Sequence, residues 1–158
     1  MFYGHAVTFN ERPDHPGNVW WHQARFASKV YHALDGKQQE LALVEGNSPP
    51  DQRSTVRLQS GEGQFSGIPV SELSSDQKGL VQEVIRGLME LYPTEKHQEV
   101  MAAIRRNGGL DKLHLAFYED GDLPDKEGIW DRWKLEGPGF VWYFRGSPHV
   151  HTWLNIAG

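Results

Sequence analysis

Hydrophobic and polar residues alternate along the last third of the chain in the pattern expected of β-strands. The alternation is clear over residues 113–119, and a mostly apolar stretch follows at residues 140–145. Residues 149–156 alternate again after the short connection formed by residues 146–148. Because strands joined by so short a turn pair side by side, the pattern predicts an antiparallel hairpin at the carboxyl end.

Apolar residues recur at helical spacing in three earlier segments, which follow Asn18, Ser74 and Thr94. Each of these residues is a good helix N-cap, so we expect three helices. Further strands are predicted at residues 1–9, 40–44 and 129–136. Residues 45–67 are rich in Gly, Ser, Pro and Gln and predict a long surface loop, with a short strand at 55–58. We expect one α+β domain over residues 1–158, in which an antiparallel β-sheet with a C-terminal hairpin packs against about three α-helices.

Composition narrows the classes of function. The 158 residues carry a net charge of -5, which does not suit a nucleic-acid binder, and the longest apolar run is too short to cross a bilayer. The first residues do not have the pattern of a signal peptide, and the location of the protein is left open. The chain has no cysteine, so a metal site would have to use imidazole, carboxylate, carbonyl or water.

The most specific chemical pattern is the pair His149 and His151. Alternate residues of a strand leave the backbone on the same side, so the two imidazoles are expected to converge. His5 lies in the predicted first strand and is the best third ligand, and Glu136 is a fourth candidate. Three imidazoles with one open position suit a catalytic zinc, copper or iron ion. The candidate hydrogen-bond partners for the outer ring nitrogens are Glu136, Tyr143 and Asn155.

Two interpretations without a metal remain open for these histidines. In the first, His149 or His151 is a general base that Glu136 or Glu119 orients, and Arg145 holds an anionic substrate. In the second, the two rings lie on a half-exposed face and bond to the backbone or to each other.

A binding module without catalysis is the alternative of a different class. Its groove for a ligand, or its interface in a homo-oligomer, would be lined by tryptophans, of which the candidates are Trp130, Trp133, Trp142 and Trp153. The same residues also suit a buried core. We interpret the chain as a metal-dependent hydrolase or oxidoreductase that acts on a small molecule.

Several blocks of the chain resemble the domain-of-unknown-function 3500 family. The most specific block is WKLEGPGFVWYFRGSPHVHTWLNIA, and the opening FYGHAVTFN is similar to that family's Gly-His strand. The blocks LDGKQQELALV and GIPVSELSSDQKGLVQEVIRGLMELY match in order and character. Family members are usually longer and have an Arg-His element before the Gly-His strand. The resemblance implies that this chain corresponds to the carboxy-terminal part of that architecture and that the full-length form is exported. It implies no reaction, because the family is uncharacterised.

Overall fold

The structure is a computed structural model that describes residues 2–5, 20–46, 48–119, 129–146 and 149–157, with the backbone alone at residues 2, 3 and 5. The strands in this part are β1 (Phe2–His5), β2 (Leu43–Val44), β3 (Ile68–Pro69), β4 (His114–Tyr118), β5 (Arg132–Gly137), β6 (Phe140–Arg145) and β7 (Val150–Ile156). The α-helices are α1 (Trp21–Ala33), α2 (Gly36–Ala42), α3 (Ser75–Met89) and α4 (Thr94–Arg106). The α+β class is therefore confirmed. No helix in these ranges is long and apolar enough to cross a membrane.

The strands form one sheet in the order β1-β7-β6-β5-β4-β2, and β3 also pairs with β4. The β2–β4 pair is parallel, and the other strand pairs are antiparallel. The predicted C-terminal hairpin is present as β6 and β7, with Tyr143 opposite Trp153 and Arg145 opposite His151. Since directly opposite residues share a face, this register groups the polar residues of both strands on one side.

One face of the sheet carries the apolar residues of β4–β7 and packs against the helices; we call it the helix face. The largest side chains buried there are Phe117, Trp133, Phe140, Trp142 and Phe144. Trp133 and Trp142 are fully buried and meet edge to face, with ring centroids 4.5 Å apart. These two tryptophans therefore belong to the core and cannot line a surface groove.

The opposite face carries the polar residues of the same strands and is covered by residues 48–66; we call it the loop face. The hydroxyl of Tyr143 donates to the carbonyl of Pro49 at 2.7 Å, and the side-chain amide of Asn155 donates to the carbonyl of Val56 at 2.6 Å. The amide of Gly139 donates to the carbonyl of Gln59 at 3.2 Å. The long loop is therefore pinned to the sheet, and it covers the face on which the hairpin histidines lie.

One prediction of local structure is wrong and another is correct only in part. Of the predicted strand at residues 40–44, only Leu43–Val44 is a strand, because α2 continues to Ala42. The cause is a capping box in which the Asp35 side chain accepts from the Gln38 amide and the Gln38 side chain accepts from the Asp35 amide. The predicted strand at 55–58 is replaced by a 3-10 turn at Arg53–Val56.

The predicted helix starts have mixed outcomes. Ser74 caps α3 through a capping box with Gln77, as its position before the apolar face predicts. Thr94 is the first residue of α4 rather than its cap, since Pro93 occupies the N-cap position. Asn18 lies outside the described residues.

Candidate functional site

The C-terminal hairpin brings two imidazoles together. His149 directly precedes β7 and His151 is the second residue of that strand, so their side chains leave the chain on the same side. The two rings meet edge to face with centroids 4.5 Å apart, and their Nε2 atoms are 2.9 Å from each other. If both nitrogens were unprotonated and nothing lay between them, their lone pairs would repel each other at this distance. A proton or a cation between the two nitrogens is therefore required.

A carboxylate from the long loop holds the back of one ring. Oδ2 of Asp51 lies 2.8 Å from Nδ1 of His151. A carboxylate bonds the tautomer in which Nδ1 carries the proton, and in that tautomer the lone pair of His151 lies on Nε2, facing His149. Asp51 is a site residue that the sequence interpretation missed. Its one local signal is its place in a long loop after two prolines, and that signal does not specify a partner.

Arg145 completes a contact group with these residues. It lies opposite His151 across the hairpin, and its Nη1 is 2.5 Å from Oδ2 of Asp51. Its Nη2 is 2.7 Å from Nδ1 of His151, and because a guanidinium nitrogen only donates, this contact is a hydrogen bond in the tautomer whose Nδ1 has no proton. The side chains of Arg145, Asp51 and His151 are 16%, 23% and 27% exposed, respectively. The group is thus partly shielded from water.

The electrostatic surroundings keep His149 neutral. Burial lowers the pKa of His149 below its ordinary value, and the neighbouring His151 and Arg145 lower it further. Asp51 acts in the opposite direction, as the smallest of these influences. At neutral pH the ring of His149 therefore offers a lone pair to a proton or a metal ion.

Residues 48–51 form a strap across this end of the loop face. The hydroxyl of Ser48 accepts a hydrogen bond from Nη1 of Arg132, and the carbonyl of Pro49 accepts from Tyr143. Burial raises the pKa of Tyr143 to about 12, so the residue stays a neutral donor at this bond. The strap ends at Asp51. Because it is bonded to β5 and β6, it holds that carboxylate against His151.

A family model for a protein of unknown function (DUF3500) matches residues 7–154. The chain belongs to the DUF3500 family. The resemblance that the sequence blocks indicated is thereby confirmed. Searches among curated proteins and among solved structures returned no similar chain.

Glu136 of this DUF3500 chain lies in a different cluster from the imidazoles. Its Oε2 is 2.8 Å from Nζ of Lys134, and both side chains are close to fully buried. The amide of Ser66 donates to its Oε1 at 3.4 Å. Among the described residues, its hydrogen bonds and ion pair are therefore with Ser66 and Lys134 rather than with the histidines.

The other predicted partners are also used elsewhere. Tyr143 donates to Pro49 and Asn155 donates to Val56, so the hydrogen bonds that these side chains make among the described residues go to the loop rather than to the histidines. The backbone of His5 lies in β1 opposite Val150, whereas Gly4 is opposite His151. The side chain of His5 lies outside the described residues, so its part in a metal site stays a prediction.

The DUF3500 site thus contains two of the predicted ligands in contact. Asp51 touches Nδ1 of His151, on the far side of the ring from His149, and therefore does not act as a third ligand at the same point. In the ranges that the structure describes, no group of three or more His, Cys, Asp or Glu side chains is arranged to hold a metal ion.

Proposed function

We propose that this chain binds a divalent transition-metal ion through Nε2 of His149 and Nε2 of His151. The observation that carries the proposal is the 2.9 Å separation of these two atoms. If each nitrogen lay about 2.05 Å from one ion, the angle at the ion would be about 90°, which is the angle between neighbouring ligands of a square-planar or octahedral ion and is smaller than the tetrahedral angle of zinc sites. The two lone pairs therefore need little rearrangement to share an ion.

The contact between Asp51 and His151 supports a metal. Histidines that bind metals commonly donate their other ring N–H to a carboxylate, which fixes the tautomer and makes the ligating nitrogen more basic. The distance of 2.8 Å from Oδ2 to Nδ1 fits this arrangement. The lowered pKa of His149 adds support, because an imidazole has to be neutral to bind a metal.

The ligand chemistry suits zinc, copper or iron, as imidazole is a good ligand for all three. With two protein ligands, further positions stay open for water or for substrate. Such an ion would polarise a substrate oxygen or activate a bound water. We therefore propose metal-dependent hydrolysis or oxidation of a small molecule as the function.

Acid–base catalysis without a metal is the second candidate, and the contact of Asp51 with His151 also favours it. Asp51 would orient His151, and a proton would pass between the two Nε2 atoms to or from a substrate. This candidate keeps the notion of a histidine base but replaces Glu136 with Asp51 as the orienting carboxylate. The non-catalytic aromatic groove has less support, because Trp133 and Trp142 are buried in the core.

Elemental analysis of protein purified without chelator distinguishes a metal from a shared proton. We expect about one zinc, copper or iron ion per wild-type chain and none in the double variant His149→Ala/His151→Ala. The matched control is His22→Ala/His32→Ala, which removes two imidazoles from α1 and should keep the ion. A wild-type chain that stays metal-free after exposure to all three ions would overturn the proposal. Equal metal content in both double variants would do the same.

A further inference from the structure

Two arginines face each other beside the imidazole pair. Arg132 of β5 lies directly opposite Arg145 of β6, so both side chains leave the sheet on the loop face. Like charges at directly opposite positions of a sheet destabilise it. Two guanidinium groups in such a position therefore need a negative charge close by to offset their repulsion.

The described part of the chain supplies less negative charge than this pair needs. Asp51 forms an ion pair with Arg145, whereas the hydrogen bond of Arg132 goes to the uncharged hydroxyl of Ser48. Two guanidinium groups and one carboxylate leave one positive charge in excess among these residues. The Nε atoms of both arginines are also buried without an acceptor.

The neighbouring cation on the same face shows the contrast. Lys134 has its own carboxylate, Glu136, at 2.8 Å, so that ion pair is neutral by itself. The excess of positive charge is therefore specific to Arg132 and Arg145, and it lies next to His149 and His151.

We propose that Arg132 and Arg145 form an oxyanion-binding subsite, and that the substrate of the proposed metal site carries a carboxylate or a phosphate. The planar guanidinium group matches both oxyanions through paired N–H donors. An anion can approach from the partly exposed side of Arg145 and His151, where it would share the arginines with Asp51. The idea that this anion is part of the substrate rests on the proposed function. Binding of the anion itself needs no metal.

The test is titration calorimetry of the full chain after its metal has been stripped with chelator. The probes are inorganic phosphate and acetate, with chloride at matched ionic strength as the reference. We expect saturable binding of at least one of the two oxyanions above the chloride reference, and the stronger of the two indicates which group the substrate carries. Arg132→Gln should weaken binding about tenfold or more, because a hydrogen bond to a charged group is lost. Asp51→Asn should strengthen binding several-fold, because a competing carboxylate is removed.

Arg53→Gln is the matched control, since Arg53 is an exposed residue of the same loop and its loss changes the net charge equally. It should leave the affinity nearly unchanged. Arg132→Lys keeps the charge but loses the planar donor pair, so this variant should bind the oxyanion with intermediate affinity. If Arg132→Gln does not fold, Arg132→Lys takes its place in the test. Oxyanion binding no stronger than that of chloride, or equal losses in the Arg132 and Arg53 variants, would overturn the subsite. Binding of phosphate without any metal binding would support the subsite and overturn the proposed function. Binding of a metal without any oxyanion binding would support the proposed function and overturn the subsite.

Discussion

Asp51 and His151 are joined by a contact of 2.8 Å between Oδ2 and Nδ1, although one hundred positions separate them along the chain. The carboxylate lies in the loop that covers the sheet, and the imidazole lies in the last strand. This contact links the loop to the hairpin and sets which nitrogen of His151 faces His149. The contact supports the metal and acid–base proposals, and in the anion-binding proposal Asp51 competes with the anion.

Removal of the Asp51 charge should weaken the proposed metal site without abolishing it. Asp51→Asn keeps the shape of the side chain but is a poorer acceptor for Nδ1–H of His151. We expect metal affinity to fall about 10- to 100-fold, which is the usual effect of losing a hydrogen-bond partner behind a ligating histidine. Competition with a chromophoric chelator measures this change. Glu62→Gln removes an exposed carboxylate from the same loop and is the control; equal affinity in the two variants would contradict the role of Asp51.

Folding stability should depend on pH through His149. Burial and the neighbouring His151 and Arg145 lower the pKa of His149 below 6.5, so below about pH 6.5 the unfolded chain binds more protons than the folded chain. The contribution of His149 to stability is then complete above that pH and is lost as the pH falls through the folded pKa. Urea denaturation between about pH 5 and 8 tests this, and His149→Gln should flatten the dependence. An NMR titration midpoint of His149 at or above 6.5 would show that this explanation is wrong.

The buried ion pair of Lys134 and Glu136 should be costly to break from one side. Glu136→Leu leaves a buried ammonium group without its carboxylate, and we expect a loss of about 3–5 kcal/mol in the free energy of unfolding. The double variant Lys134→Met/Glu136→Leu should recover most of this loss, since no uncompensated charge remains. Urea denaturation of the single and double variants measures the coupling. Glu99→Leu breaks an exposed pair with Lys96 and should cost no more than about 1 kcal/mol. A double variant as unstable as Glu136→Leu would refute this account.

Gly67 should tolerate no side chain. It has a φ of +85°, and a Cβ there would overlap the backbone carbonyl of Leu115 in β4. Gly67→Ala should therefore lower the free energy of unfolding by about 2 kcal/mol or more. In the same loop, a Cβ at Gly61 would meet no atom within 4 Å, so Gly61→Ala should change stability by less than about 0.5 kcal/mol. Thermal or urea denaturation compares the two, and similar losses would mean that the return of the loop into β3 is not constrained as described.

Local sequence pattern was sufficient for the hairpin of β6 and β7. Alternating residues on both sides of a short connection specify strands, pairing and register together, so the convergence of His149 and His151 could be read before the fold was known. Pattern was less reliable at residues 40–44, where a short apolar run fits either a strand or the end of a helix. A capping interaction five residues earlier decided in favour of the helix.

The partners of the candidate site came from the tertiary structure. Nothing near Asp51 in the chain indicates that it contacts His151. Lys134 and Glu136 lie two residues apart in one strand and so share a face, but only the packed structure shows that both side chains are buried. Periodicity along one strand indicates which of its residues share a face. The residue that meets that face from a distant loop depends on how the whole chain packs, because contacts far apart in sequence leave no local repeat. The histidine pair and the neighbouring Arg145 were therefore readable from the hairpin, whereas Arg132 became a neighbour through the pairing of β5 with β6 and the Asp51 carboxylate only when the loop packed over the sheet.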